Sequence, residues 1–146
     1  MTEGGTAPAD PGTADLVAGV GFRRATPAAE IAALVERACA ETGLPLARLA
    51  RLATAADRAG EPAIRAAAKS LGCALDAVPP EALIAMDADV PTRSHRIEAL
   101  RQVGSVAEAA ALAAAGPGAT LLLRRIASAG ATCALALRAQ SVTQEP

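Results

Sequence analysis

An α/β domain is what the sequence predicts: three α/β/α layers on a small mixed, mainly parallel sheet that ends in a hairpin. Two observations carry this expectation. From residue 15 onward, short apolar runs alternate with segments of helical period, the pattern of βαβ units. Near the C-terminal end, two apolar runs are joined by a short glycine-containing link, which favours an antiparallel hairpin and makes the sheet mixed. A length of 146 residues suits one domain. Its expected limits are 15–138, between a flexible leader (1–14) of small, Pro and acidic residues and a frayed tail (139–146).

The first strand is expected over 15–24. Leu16, Val17 and Val20 are apolar there, while Gly19 and Gly21 let another backbone or a ligand come close. A helix follows, with Thr26 as N-cap and Pro27 at the first helical position. Ile31, Leu34, Val35 and Ala38 recur with helical spacing, and Gly43 with Pro45 stops the helix. A second strand is expected over 49–54. A polar turn over 56–61 leads into a helix from Pro62, whose apolar face carries Ile64, Ala67, Ala68 and Leu71 before Gly72 ends it. Residues 73–78 read as a third strand interrupted by Asp76, and Pro79 and Pro80 open a short helix through Met86.

Residues 87–94 are polar and contain Pro91, as a connection would, and 95–103 read as helical. Ser105-Val106-Ala107-Glu108 has the capping-box pattern, in which hydroxyl and carboxylate satisfy reciprocal backbone donors. It opens an alanine-rich helix closed by Gly116-Pro117-Gly118. Strands over 120–126 and 131–138, joined at Ser128-Ala129-Gly130, complete the domain.

Composition narrows the function. The chain is 52% hydrophobic with one Phe and no Trp or Tyr, so Leu, Val and Ile must pack against close-approaching Ala helix faces. A net charge of −1 gives no global attraction to phosphate backbones or anionic lipid, which argues against nucleic-acid and membrane partners. The start of the chain lacks the basic and apolar regions of a signal peptide, and no apolar run approaches a membrane span. Cys39, Cys73 and Cys133 are odd in number, far apart and set among apolar neighbours, as buried thiols are. A cytoplasmic location fits that cysteine usage.

The candidate site is the first strand-to-helix turn, Gly19-Val20-Gly21-Phe22-Arg23-Arg24-Ala25-Thr26. Ligands of open α/β sheets bind beyond the carboxyl ends of the strands, where helix N-termini offer free N–H groups to an anion. Arg23 and Arg24 add planar donors suited to carboxylate or phosphate, and equally fit solvated surface charge. A dinucleotide fingerprint would place its third glycine at Arg24, and no Walker lysine is present. Gly21, Arg23, Arg24 and Thr26 are therefore the anion-site candidates of this turn. Glu61, before Pro62, reads either as helix N-terminal electrostatics or as a hydrogen-bond acceptor or general base facing the cleft. Ser105 and Glu108 join it as candidates if their helix opens at a cleft mouth. His95 is the one histidine, a catalytic candidate beside Glu61 but no basis for a metal site, and neither metal nor cofactor is expected. Asp57 and Arg58, in the same turn as Glu61, admit the same two readings, and Arg124, Arg125 and Ser128 read as surface residues unless the final hairpin rims the cleft.

Three segments together resemble the family of CobE and the CbiG C-terminal domain: LVAGVGFRRAT (16–26), LATAADRAGEPAI (52–64) and VGSVAEAAALAAAGPGATLLL (103–123). Their shared order and separation carry the resemblance across residues 16–137. It implies a mixed α/β/α domain of cobalamin biosynthesis acting on corrin intermediates, which are polyanionic through acetate and propionate arms. CbiG-type proteins open a precorrin lactone and release a two-carbon fragment, whereas CobE-type proteins stand alone. Arg124, Arg125 and Ile126 occupy positions where CbiG-type sequences often hold lysines, so a lysine-dependent role there is not carried over.

The resemblance thus implies a protein that binds a precorrin-type tetrapyrrole as carrier or accessory. Two alternatives stand beside it: a hydrolase using Glu61 or His95, and a module docking on a pathway methyltransferase. The implied partners are the tetrapyrrole and other cobalamin-pathway enzymes.

Overall fold

A computed structural model describes residues 15–86 and 106–139. The expected leader, connection 87–94, helix 95–103 and residues beyond 139 lie outside the described residues, as do His95 and Ser105.

Strand β1 (Leu16–Phe22) leads into α1 (Ala28–Thr42). A 3-10 turn (Leu46–Arg48) precedes β2 (Leu49–Ala55), which is followed by α2 (Pro62–Leu71) and β3 (Ala74–Val78). Then come α3 (Pro80–Ala85), α4 (Val106–Ala115) and the hairpin β4 (Thr120–Ala127) and β5 (Ala131–Leu137). The five strands form one sheet in the order β3-β2-β1-β5-β4. β1 pairs in parallel with β2, and β2 with β3; β5 is antiparallel to both β1 and β4. It follows that β1 to β4 run one way and β5 alone runs against them. The expected mixed α/β/α architecture is the observed one.

Strand alternation divides the core in two. Leu16, Ala18, Val20 and Phe22 of β1 pack with α1 and α2 through Ile31, Val35, Ile64 and Ala67. Val17, Ala53 and Ala136 face the other way, toward α3 and α4. Leu16, Ile31, Leu52, Ile64 and Leu135 are each fully buried, a contribution of about 1.5–3 kcal/mol per side chain.

Alanine content is what lets α4 lie close to the sheet. A Cβ at Gly19 would stand 2.0 Å from the Ala107 carbonyl oxygen and 2.6 Å from the Ala111 nitrogen. The helix backbone therefore rests on the bare Cα of β1, the close approach that glycine permits. Gly43 and Gly72, at φ 77° and 73°, end α1 and α2 in the left-handed conformation. Asp76 does not interrupt β3, because Arg51 on β2 donates from Nη1 to its two carboxylate oxygens at 2.8 and 2.9 Å. At the opposite end from the strand termini of β1 and β2, Arg48 grips Asp15 through two bonds of 3.1 and 2.6 Å.

One helix start differs from expectation. The cap of α1 is Pro27, with the helix beginning at Ala28, and the Thr26 hydroxyl does not serve the helix. It donates instead to the Gly130 carbonyl at 2.8 Å, in the β4–β5 turn.

Candidate functional site

The carboxyl ends of β1 and β2 frame a cavity of about 400 Å³. Gly21 and Phe22 enter it from β1, Thr54 and Ala55 from β2, and Val106 from the start of α4; residues 127–132 close the far side. This is where an open α/β sheet presents its ligand site, beyond strand ends and beside a helix N-terminus. Gly21 keeps the floor low, since a Cβ there would press on the Thr132 hydroxyl at 2.9 Å.

Three arginines are among the residues lining the cavity: Arg23 after β1, Arg58 after β2 and Arg125 in β4. Among the described lining residues there is no carboxylate and no imidazole. The salt bridges among the described residues use Arg37, Arg48 and Arg51, none of which lines the cavity. Arg58 lies with its guanidinium carbon 5.5 Å from the Phe22 ring centroid, a cation–π arrangement on the single aromatic side chain. Its Nη1 is buried without a hydrogen-bond partner. A buried, unpaired donor is costly, and an incoming acceptor relieves it.

Arg125 reaches the cavity through a β-bulge. Leu123 pairs with Leu135 but Ile126 pairs with Cys133, so β4 carries one residue more than β5 across this stretch. A bulge takes an amide out of the ladder and re-aims side chains. The freed Arg125 N–H donates to the Glu108 carboxylate at 2.8 Å, and Glu108 is completely buried on α4. Buried polar groups need such partners.

The β4–β5 turn is itself fastened to the β1–α1 connection. Glu30 accepts the Ser128 hydroxyl and, at 2.7 Å, the Gly130 N–H. Ser128 and Gly130 donating to it hold the Glu30 carboxyl below the usual glutamate value. The Gly130 carbonyl in turn accepts from the Arg23 N–H at 2.9 Å and from Thr26. Gly130 has no room for a Cβ, which would stand 2.5 Å from the Thr26 hydroxyl oxygen.

Of the residues singled out from sequence, Gly21 and Arg23 line the cavity and Thr26 braces its rim. Arg24 is exposed and does not line it. Glu61 caps α2 with no side-chain hydrogen bond to the helix and is not a lining residue. Glu108 stands behind the wall, holding Arg125. The hairpin rims the cavity, which brings Arg125 and Ser128 to it, and Arg58, ambiguous from sequence, joins them in the lining. Cys39 and Cys133 are buried and Cys73 half-buried, all free. Burial pushes each thiol up, away from the thiolate form a nucleophile needs. No group of described residues could hold a metal ion, and no described helix is long and apolar enough to cross a membrane.

Residues 16–136 match the model of the family described as cobalamin synthesis G C-terminus. The chain belongs to this family. Protein CobE of Sinorhizobium sp is 41% identical over 123 residues, which cover 84% of this chain and 80% of that protein. The crystal structure of CobE, from the cobalamin biosynthetic pathway, superposes with a TM-score of 0.78 at 35% identity, covering 84% of this chain and 89% of that one. Cobalamin biosynthesis protein chiG from Agrobacterium tumefaciens gives 0.70 at 33% identity, covering 86% and 99%. A cobalamin biosynthesis protein G homologue from Sulfolobus solfataricus, at 22% identity and TM-score 0.68, shares the fold; 86% of this chain matches 37% of that longer one. The family membership makes this a cobalamin biosynthesis protein of the CobE/CbiG type.

Proposed function

We propose that the chain binds an anionic precorrin-type tetrapyrrole at the carboxyl edge of its sheet, as a carrier or accessory protein of the corrin pathway. The observation that carries this reading is the set of three arginines, Arg23, Arg58 and Arg125, among the residues of one cavity whose described lining holds no acid. Fixed positive charge in a concave, partly apolar site selects a ligand bearing carboxylates. Ala55, Ala127 and Ala131 supply the apolar walls against which hydrocarbon can rest. Glu61 is outside the lining, so hydrolysis finds no general base there among the described residues, and binding is the favoured reading. A cytoplasmic location belongs to the same proposal, as do other enzymes of the pathway as partners that deliver or receive the ligand.

Absorbance titration of the protein with uroporphyrin, a porphyrin carrying acetate and propionate arms, tests the reading. A saturable spectral shift that weakens in Arg58→Ala and Arg125→Ala is expected. No shift at any concentration would remove the tetrapyrrole from the proposal and favour docking on a pathway enzyme.

A further inference from the structure

We infer that the ligand enters edge-on: the cavity takes carboxylate arms from one side of the macrocycle, while the ring plane stays outside. The inference rests on the reading of this site as a tetrapyrrole site and goes on to say which part of the ligand the site recognises.

Size comes first. A volume of 400 Å³ lies near the low end of the roughly 300–1,000 Å³ found for sites that bury a drug-sized ligand. Four linked rings with their acid arms exceed that space, whereas aliphatic carboxylate arms fit within it. Side-chain type comes second. A flat macrocycle held by its face is normally gripped by aromatic rings or by broad aliphatic surface. Here the single aromatic ring, Phe22, is only 8% exposed and already has Arg58 over it. The remaining described lining is Gly, Ala and Val, with Thr54, Ser128 and Thr132. Small side chains of this kind suit a methylene chain ending in an oxyanion and, among the described residues, offer no broad platform for a ring.

Charge comes third. Arginine presents a planar fork that fits a carboxylate, and three such groups around one small cavity fit more than one carboxylate. Arg58 also has a buried Nη1 without a protein partner, a donor that a carboxylate oxygen would satisfy. Affinity in this arrangement comes from the arms, so a small aliphatic polycarboxylate contains most of what the cavity recognises.

The test is competition. Uroporphyrin is bound first and followed by absorbance, and propane-1,2,3-tricarboxylate is added at constant ionic strength. The expected result is full displacement with a single competition constant. Arg23→Ala and Arg58→Gln should then weaken the porphyrin and the tricarboxylate by the same factor, about tenfold or more. Arg23 is exposed, so its replacement leaves folding unaffected should Arg58→Gln fail to fold. If uroporphyrin binds and the tricarboxylate fails to displace it, the edge-on inference falls while the tetrapyrrole reading stands. If uroporphyrin does not bind, the reading falls and takes the inference with it.

Discussion

The backbone N–H of Arg125 ends on the buried carboxylate of Glu108, 2.8 Å away. One residue lies in the bulge of β4, the other on a helix whose remaining buried residues are Ala and Leu. Removing the acceptor leaves a donor unpaired and opens a void where Glu108 is fully buried. Glu108→Ala is expected to cost about 2–4 kcal/mol of folding stability. Glu108→Gln, which keeps an acceptor oxygen of similar size, should cost clearly less. Urea denaturation of the variants measures both; equal losses would show that acceptance by Glu108 is not what matters.

Close contact between β1 and α4 makes a second expectation. Gly19→Ala drives a methyl group into the backbone of Ala107 and Ala111, which no rotamer change can relieve. A loss of about 3 kcal/mol is expected, the upper end of ordinary overpacking. Gly60→Ala is the control, since a Cβ there meets nothing within 4 Å. Its stability should stay equal or rise by about 0.4–1 kcal/mol through the unfolded chain. Thermal unfolding of the pair decides.

Glu30 gives the rim of the cavity a dependence on pH. Its carboxyl is held below the ordinary value of 4.5 by the Ser128 hydroxyl and then the Gly130 N–H. Between the lowered folded value and 4.5 the unfolded chain binds more protons, so stability rises with pH there. The contribution is complete above 4.5 and vanishes as the pH falls through the folded value. Melting temperatures recorded from neutral to about pH 3 should fall more steeply for the wild type than for Glu30→Gln. Parallel curves would show that the carboxylate does not fasten the turn.

The neighbouring arginines should separate cleanly. Arg23 lines the cavity and Arg24 does not. At about 1.5–3 kcal/mol per charged hydrogen bond, Arg23→Ala should weaken uroporphyrin roughly 10- to 150-fold. Arg24→Ala should change it less than about twofold, as expected of an exposed charge. Equal losses from the two, by isothermal titration, would place the ligand outside the cavity.

Much of the fold was legible because its signals are local. Pro62, Gly43, Gly72 and the Gly116-Pro117-Gly118 run bound their helices where caps and breakers dictate. Thr26 misled for a physical reason. A threonine before a helix can bond either to that helix or to a strand turn brought alongside, and the turn at Gly130 lies 104 residues away in sequence. Asp76 looked foreign to a strand until Arg51 was placed across from it.

The site was half legible. The glycine turn after β1 and the charge of Arg23 could be read directly, and so could the class of ligand an arginine suits. Arg58 and Arg125 could not be assigned, because their relation to Arg23 exists only after β2 and the terminal hairpin are laid beside β1.

By itself, then, the sequence determined the layers and most helix ends, each set by spacing and side-chain chemistry within a few residues. Only the tertiary structure decided which arginines share a cavity, that Glu108 serves an amide behind its wall, and how large the cavity is. Those depend on the insertion of β5 between β1 and β4 and on a one-residue bulge, contacts between distant segments that no local pattern encodes.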